Sequence, residues 1–222
     1  MVAHPDDESF GLGGVIDAFV RSGTEVSVLC FTRGEASTLH GVEGDLATVR
    51  AEELAAAGRE LGVRRVELRS YADGALRDVP LDLLVEEVRA LAADVGAEGV
   101  LVFDVGGVTS HPDHDRATEA AVVAATDAGL GVLAWTLPQT VADTLTVEHG
   151  FAFIGRDDAD VDVVVPVRRD RQVAAVHCHP SQAVPGSVLW RRLDLLGRYE
   201  HLRWLTPARA SAAAAVRPGS TR

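Results

Sequence analysis

The stretch GVLVFD, at residues 99–104, begins the segment that decides the fold. It is a short apolar run rich in β-branched residues, which is typical of a buried strand. A helical pattern over residues 112–128 follows, ends before Gly129 and leads to a second apolar run, GVLAWT, at residues 131–136. Strand, helix and strand in this order predict a βαβ unit with two neighbouring parallel strands.

The same alternation continues on both sides of this unit. Further strands are predicted over 25–32, 65–70 and 161–167, and further helices over 11–22, 46–61, 81–95, 168–179 and 188–199. The pattern predicts an α/β protein, a Rossmann-like three-layer sandwich with a mostly parallel central sheet. We interpret residues 1–207 as a single domain and the low-complexity residues 208–222 as a frayed tail.

Composition limits the classes of partner. The formal net charge of −12 over 222 residues argues against nucleic acids and anionic membrane surfaces. The sequence has no signal peptide pattern and no apolar run of about 18 residues, as a membrane span would need. The two cysteines, Cys30 and Cys178, are interpreted as free thiols. We therefore expect a cytoplasmic protein that acts on a small molecule, and a homo-oligomer is compatible with the sequence.

Polar clusters follow the predicted strands. AHPDDE occupies residues 3–8, TRGE residues 32–35, YADG residues 71–74 and SHPDHD residues 110–115. In open α/β sheets, ligands bind outside the carboxyl ends of the strands. The four clusters are therefore expected to form one site.

The two HPD clusters suggest a metal. His4 and Asp7 are three residues apart in a tight turn, and His111 and His114 are three apart at a helix start, on one face. Two histidines and a carboxylate suffice for a catalytic zinc, which leaves an acid and an imidazole for proton transfer and oxyanion stabilisation. The alternative is that each cluster only caps a helix N-terminus. The presence of both clusters at strand ends favours the metal.

These paired motifs resemble the PIG-L/LmbE family of zinc-dependent N-acetylglucosaminyl deacetylases, which includes enzymes of mycothiol metabolism. The similarity covers roughly residues 1–182. It continues through GLGG (11–14), TRGEAS (32–37), RAEELAAAGRELGV (50–63), YADGAL (71–76) and HPSQ (179–182).

The resemblance implies a role for each matching residue at the metal. His4, Asp7 and His114 match the zinc ligands, although Fe²⁺ could use the same set. Asp6 matches the general base. His111 matches a protonated imidazole that stabilises the oxyanion or protonates the leaving amine.

Further matches are implied around these residues. Asp113 matches a carboxylate that orients His111, and Arg50 and Asp73 match positions that contact sugar hydroxyls. His179 matches a position near the site. The residues alone leave other interpretations open, because Arg50 could snorkel from its helix and Asp73 could belong to a plain turn. The remaining histidines interpreted as surface residues are His40, His149 and His201.

The implied activity is metal-dependent hydrolysis that removes an acetyl group from an N-acetylated sugar or a related amide. Two alternatives stay open: an amidase that acts on a larger thiol conjugate, and a non-catalytic sugar-binding member of the family. The sequence does not name the substrate, the native metal or the oligomeric state.

The strand before the first motif is short. Only Met1, Val2 and Ala3 precede His4, whereas a strand usually has about five or six residues. We expect the neighbouring strands, at 25–32 and 99–104, to share a partly unfilled slot. An extension of the chain upstream is expected to raise both stability and metal affinity.

Overall fold

The computed structural model describes residues 1–39 and 43–208. His40 and residues 209–222 of the predicted tail lie outside the described residues. Within the described ranges, no helix is long and apolar enough to cross a membrane.

The helices and strands alternate along most of the chain. The strands are β1 (Ser27–Thr32), β2 (Arg65–Tyr71), β3 (Gly99–Phe103), β4 (Gly131–Pro138), β5 (Gly155–Arg156), β6 (Val163–Pro166) and β7 (Tyr199–Thr206). The helices are α1 (Asp7–Phe10), α2 (Gly13–Arg21), α3 (Leu46–Leu61), α4 (Leu81–Val95), α5 (Pro112–Ala128), α6 (Gln139–His149), α7 (Asp170–His177) and α8 (Val188–Leu196).

Three predicted helices, now α3, α4 and α5, are confirmed at both ends. Each ends at a glycine with a positive φ, namely Gly62, Gly96 and Gly129. A residue with a Cβ would be strained in this left-handed conformation, so these glycines define the helix ends.

The sheet is mixed, and the prediction of a mostly parallel sheet is wrong. β1 and β2 pair in parallel, as do β3 and β4, but β7 runs antiparallel between β4 and β6. No strand was predicted after residue 167, so β7 was missed. The last predicted helix runs to residue 199, whereas α8 ends at Leu196. The sequence prediction also missed α6. The α/β class is confirmed, with a mixed rather than a parallel sheet.

Apolar side chains form a core on each face of the sheet. One cluster joins α2, α3 and α6 to the strands, through residues such as Ile16, Leu54 and Leu145. On the other face, α4 and α5 pack through residues such as Leu84 and Ala120. The sheet therefore lies between two helical layers, and the loops that follow the strands are left free for a site.

The short N-terminal strand links two parts of the sheet. Val2 forms an isolated parallel bridge with Cys30, and its N–H donates to the Leu29 carbonyl at 2.9 Å. On the other side, the Met1 ammonium donates to the Leu101 carbonyl at 2.9 Å. Met1 and Val2 therefore lie between β1 and β3, where a central strand would run.

A cavity of about 730 Å³ continues this strand position between β1 and β3. It is lined by residues 27–29 of β1 and 99–101 of β3, with Ile16 of α2 and Leu91 of α4 on its two faces. The Met1 ammonium lies at its end, and burial lowers the pKa of this ammonium to about 6. The slot is apolar on both faces and is bordered by strand edges, as a buried parallel strand requires.

We expect that adding about five to eight apolar, β-branched residues before Met1 will raise the melting temperature and the zinc affinity. Each fully buried aliphatic side chain contributes about 1.5–3 kcal/mol, against about 1–2 kcal/mol for ordering the backbone of each residue. The extension would also replace a buried ammonium with a neutral amide. Thermal melting and zinc titration of the two chains measure the effect.

A glycine–serine extension of the same length is the matched control, because it removes the terminal ammonium but buries little apolar surface. The apolar extension should exceed this control in both measurements. If both extended chains melt and bind zinc like the 222-residue chain, the three-residue strand is sufficient.

Candidate active site

The first HPD cluster forms a tight turn directly after the short strand. One oxygen of the Asp7 carboxylate accepts the backbone N–H groups of Ala3, at 3.2 Å, and His4, at 2.9 Å. Asp6, which lies between His4 and Asp7 in the sequence, has a φ of 106°, in the left-handed region that non-glycine residues rarely occupy. This turn brings the His4 and Asp7 side chains to one point.

The second cluster begins α5. His111 is the N-cap residue, and its Nδ1 accepts the N–H of Asp113 at 3.2 Å. Pro112 occupies the first turn, where its missing N–H costs no hydrogen bond. Ser110, just before the helix, has a φ of 56°; apart from Asp6 it is the one described non-glycine residue with a positive φ. Backbone strain of this kind is often found at functional sites.

The two clusters meet, and three predicted ligands converge. His4 Nδ1 lies 3.2 Å from His114 Nε2, and His114 Nε2 lies 3.2 Å from Asp7 Oδ1. His4 Nδ1 is 3.5 Å from the other Asp7 oxygen. Ligands about 2.0–2.1 Å from a tetrahedral zinc would lie about 3.3–3.4 Å apart. The contacts of His4 with His114, and of each ring with one oxygen of the Asp7 carboxylate, are therefore close to the spacing of ligands around a zinc-type ion.

Two overlapping groups of three side chains also bring ligand atoms within 4.8 Å of one another. One is His4, His111 and His114, and the other is His4, Asp73 and Asp113. In the second group both oxygens of Asp113 already accept backbone N–H groups, from Gly74 and Leu76, whereas Asp7 keeps one oxygen free of them. These hydrogen bonds make the second group the weaker candidate.

Asp113 and Asp73 both contact His4, which differs from their predicted roles. Nε2 of His4 lies 3.0 Å from Asp73 Oδ1 and 3.4 Å from Asp113 Oδ2. Carboxylates on the far nitrogen of a metal-binding histidine commonly hold the ring in place. The Asp113 carboxylate therefore lies against His4, while its backbone N–H donates to His111. Asp73 faces His4 and Ala36 with its two oxygens.

The charges of the cluster favour a cation. Burial lowers the pKa of His4, but the carboxylates of Asp113, Asp7 and Asp73 outweigh it and raise that pKa well above its ordinary value. Burial likewise raises the pKa of Asp7, but the rings of His114 and His4 hold it well below its ordinary value. Three carboxylates around one imidazole therefore form a negatively charged site.

Arg50 contacts the turn that carries the first HPD cluster. Its side chain is 3% exposed, and it donates to the carbonyls of Pro5 and of Gly34. Its Nη2 lies 3.1 Å from Asp6 Oδ2. A Cβ at Gly34 would collide with this guanidinium, so glycine is required where the chain passes Arg50. Arg50 therefore holds the turn at Pro5 and Asp6, and its contact with sugar hydroxyls stays a prediction.

Asp6 has the properties of a general base. Burial raises its pKa to about 6, although Arg50 beside it favours the charged form. A carboxylate with a pKa near the working pH accepts a proton more effectively than an ordinary aspartate. Asp6 makes no side-chain hydrogen bond to the start of α1, so helix capping does not occupy its carboxylate.

The surroundings of His111 favour its neutral form over the imidazolium that the resemblance implies. Burial and the neighbouring rings of His4 and His114 lower its pKa below the ordinary value. Because Nδ1 accepts the Asp113 N–H, the proton of the neutral ring is on Nε2. His111 is thus a neutral hydrogen-bond donor.

His179 is fully buried and lies behind the site, one residue away from Asp6 through Glu8. Its exposed fraction is 0%, and Nε2 lies 2.7 Å from Oε1 of Glu8, which is also 0% exposed. The sequence analysis assigned no role to Glu8. Of the predicted surface histidines, His149 is exposed and His201 is half-buried.

One further contact at the site was missed. The Phe103 ring stacks on His114 with 4.7 Å between centroids and limits where that imidazole can move. Phe103 ends β3 and reads from the sequence as an ordinary core residue. No local pattern distinguishes it, because its partner follows eleven residues later on α5.

The α/β fold and a His–Asp–His cluster beside a partly buried acid define the class of site that metal-dependent hydrolases use. The family model described as PIG-L, GlcNAc-PI de-N-acetylase, matches residues 1–126. The chain belongs to this family.

Relatives and solved structures agree with the assignment. A 1D-myo-inositol 2-acetamido-2-deoxy-α-D-glucopyranoside deacetylase from Saccharomonospora viridis is 30% identical, with 83% of this chain and 84% of that protein covered. The crystal structure of the pseudoaglycone deacetylase Dbv21 is similar with a TM-score of 0.71 at 19% identity, covering 95% of this chain and 97% of the other. GalB, a 4-carboxy-2-hydroxymuconate hydratase from Pseudomonas putida KT2440, has a TM-score of 0.68 at 21% identity, covering 96% and 98%. At these identities the two structures show a shared fold.

Proposed function

We propose that this protein is a metal-dependent N-deacetylase that hydrolyses the acetamide of an amino sugar. The observation that carries the proposal is the convergence of His4 Nδ1, His114 Nε2 and the Asp7 carboxylate, with contacts of 3.2–3.5 Å between them, beside the Asp6 carboxyl group. His4, Asp7 and His114 would hold the ion, for which zinc is the first candidate and ferrous iron the second.

The choice of reaction rests on the relatives as well as on the site. The Saccharomonospora viridis relative is a deacetylase of an acetamido sugar, and it is matched over most of both chains. The fold alone would not select this reaction, because a hydratase shares it. Both reactions use an activated water, but only deacetylation releases an amine.

Each residue of the site has a separate task in the proposed reaction. When bound, a divalent ion polarises a carbonyl group and makes water a stronger nucleophile near neutral pH. Asp6 accepts a proton from the attacking water and returns it to the leaving nitrogen, so that acetate and an amine are formed. His111 donates its Nε2–H to the carbonyl oxygen as negative charge develops there.

Acetate and amine release test the proposed function. Purified protein loaded with zinc, or with ferrous iron under anaerobic conditions, is incubated with acetamido sugars, including the substrate named for the relative. A bulky thiol conjugate forms the second arm. We expect equal amounts of acetate and amine from an acetamido sugar, and loss of both after chelation.

Each other outcome contradicts part of the proposal. Release of amine only from the thiol conjugate would assign the chain as an amidase. A protein that binds the metal and the sugar but releases neither product would be a binding member of the family. Activity that survives complete removal of the metal would exclude the proposed site.

A further inference from the structure

A buried chain of polar contacts leads from α3 to the backbone of Asp6. The Asp6 N–H donates to Glu8 Oε2 at 3.0 Å, and Glu8 Oε1 contacts His179 Nε2 at 2.7 Å. Beyond His179, Nδ1 lies 3.8 Å from Glu53 Oε2. The Glu53 carboxylate is held by the N–H of Ser181 at 2.9 Å and by its hydroxyl at 2.6 Å.

A capping role alone does not account for this chain. Glu8 is near the start of α1, and an acid there that accepts the N-cap N–H resembles a capping box. A cap of this kind works at the surface and needs no buried cation. Glu8 and His179 are both 0% exposed, and burying an ion pair is costly unless its geometry is well satisfied.

The hydrogen bond from Asp6 is made where the backbone is strained. The φ of 106° at Asp6 is a strained backbone conformation for a non-glycine residue. Such a conformation persists only when the surroundings determine it. Arg50 contacts the Asp6 side chain, whereas Glu8 is the partner that holds its N–H.

We propose that Glu8, held by His179, is a positioning residue that fixes the left-handed backbone of Asp6 and thereby aims the Asp6 carboxylate. This inference rests on the proposed function, in which Asp6 is the base. Glu8 does not touch the reacting atoms. Its effect is to keep one side-chain direction of Asp6 populated, and misplacing a reacting group by about 1 Å can cost about 100-fold in rate.

A single and a double variant separate the positioning effect of Glu8 from the effect of its charge. Glu8→Gln keeps an oxygen that can accept the Asp6 N–H. The double variant Glu8→Met with His179→Met removes this acceptor and its cationic partner together, so that neither is left without the other, and Glu53 keeps its hydrogen bonds from Ser181. We expect kcat to stay within about threefold of the unmodified protein for Glu8→Gln and to fall at least about tenfold for the double variant, with little change in KM. Zinc content should be unchanged in both.

A test in the Asp6→Asn protein distinguishes positioning from general damage. When Asp6 is already asparagine, a change in the direction of this side chain should lower kcat no further. Adding the two methionine substitutions to the Asp6→Asn protein should therefore leave its residual kcat unchanged. Losses that multiply would overturn the proposal, as would a double variant with normal kcat. So would a Glu8→Gln protein that falls as far as the double variant.

Crystal structures of the metal-free variants provide a readout that does not depend on activity. The φ of residue 6 should remain near 106° with Glu8→Gln and should leave the left-handed region in the double variant. An unchanged φ in both would refute the positioning role. The crystal structures test the positioning role of Glu8 even if the protein turns over no substrate. A lack of turnover would count against the proposed function and not against the positioning role. If the double variant does not fold, Glu8→Met combined with His179→Gln replaces it in both arms.

Discussion

Replacing Asp6 with asparagine is expected to lower kcat by about 100-fold or more, the usual scale for loss of a general base. The amide cannot accept the proton of the attacking water. Asparagine has nearly the same size as aspartate and tolerates a positive φ well, so the turn at His4 and Asp7 should persist. Zinc content and the melting temperature are therefore expected to change little.

Steady-state kinetics and metal analysis of the same preparation check this expectation. Asp160→Asn is the matched control, because it makes the same chemical change at an exposed position outside the site. The control should keep full activity. Near-normal turnover by a fully metal-loaded Asp6→Asn protein would remove Asp6 from the role of base.

Replacing His114 with alanine is expected to lower zinc affinity by at least about 100-fold and to abolish measurable activity. The change removes one of the three convergent ligand atoms, and even residues that only support metal ligands cost about 10–100-fold when mutated. His114 also packs against Phe103, so His114→Gln is included as a variant that fills more of the space. Zinc titration and melting of the metal-free proteins separate lost ligation from lost folding.

One result for His114→Ala would assign the metal to a different set of ligands. If His114→Ala still binds one zinc tightly and remains active, the group of His4, Asp73 and Asp113 becomes the metal site. His111→Ala should keep its zinc while losing activity, because His111 is assigned as a donor and not as a ligand. His149→Ala is the control, since His149 is exposed.

The amino-acid sequence by itself determined the local features of this protein. The ends of α3, α4 and α5 follow from apolar periodicity and a terminal glycine, which act within a few residues. The spacing of His4 with Asp7, and of His111 with His114, was enough to predict that each pair shares one direction. The rule that polar clusters gather at strand ends was enough to bring the two pairs together.

Only the tertiary structure decided which side chains face one another across long separations. The Asp113 carboxylate contacts His4, and His179 pairs with Glu8, 171 residues away. Likewise, β7 pairs antiparallel with β4, and this pairing joins residues far apart in the sequence. Local patterns constrain the backbone of one element, whereas the partners of a buried polar group depend on how several elements pack. For that reason the convergence of His4, Asp7 and His114 could be predicted from two short motifs, but the contacts around them could not.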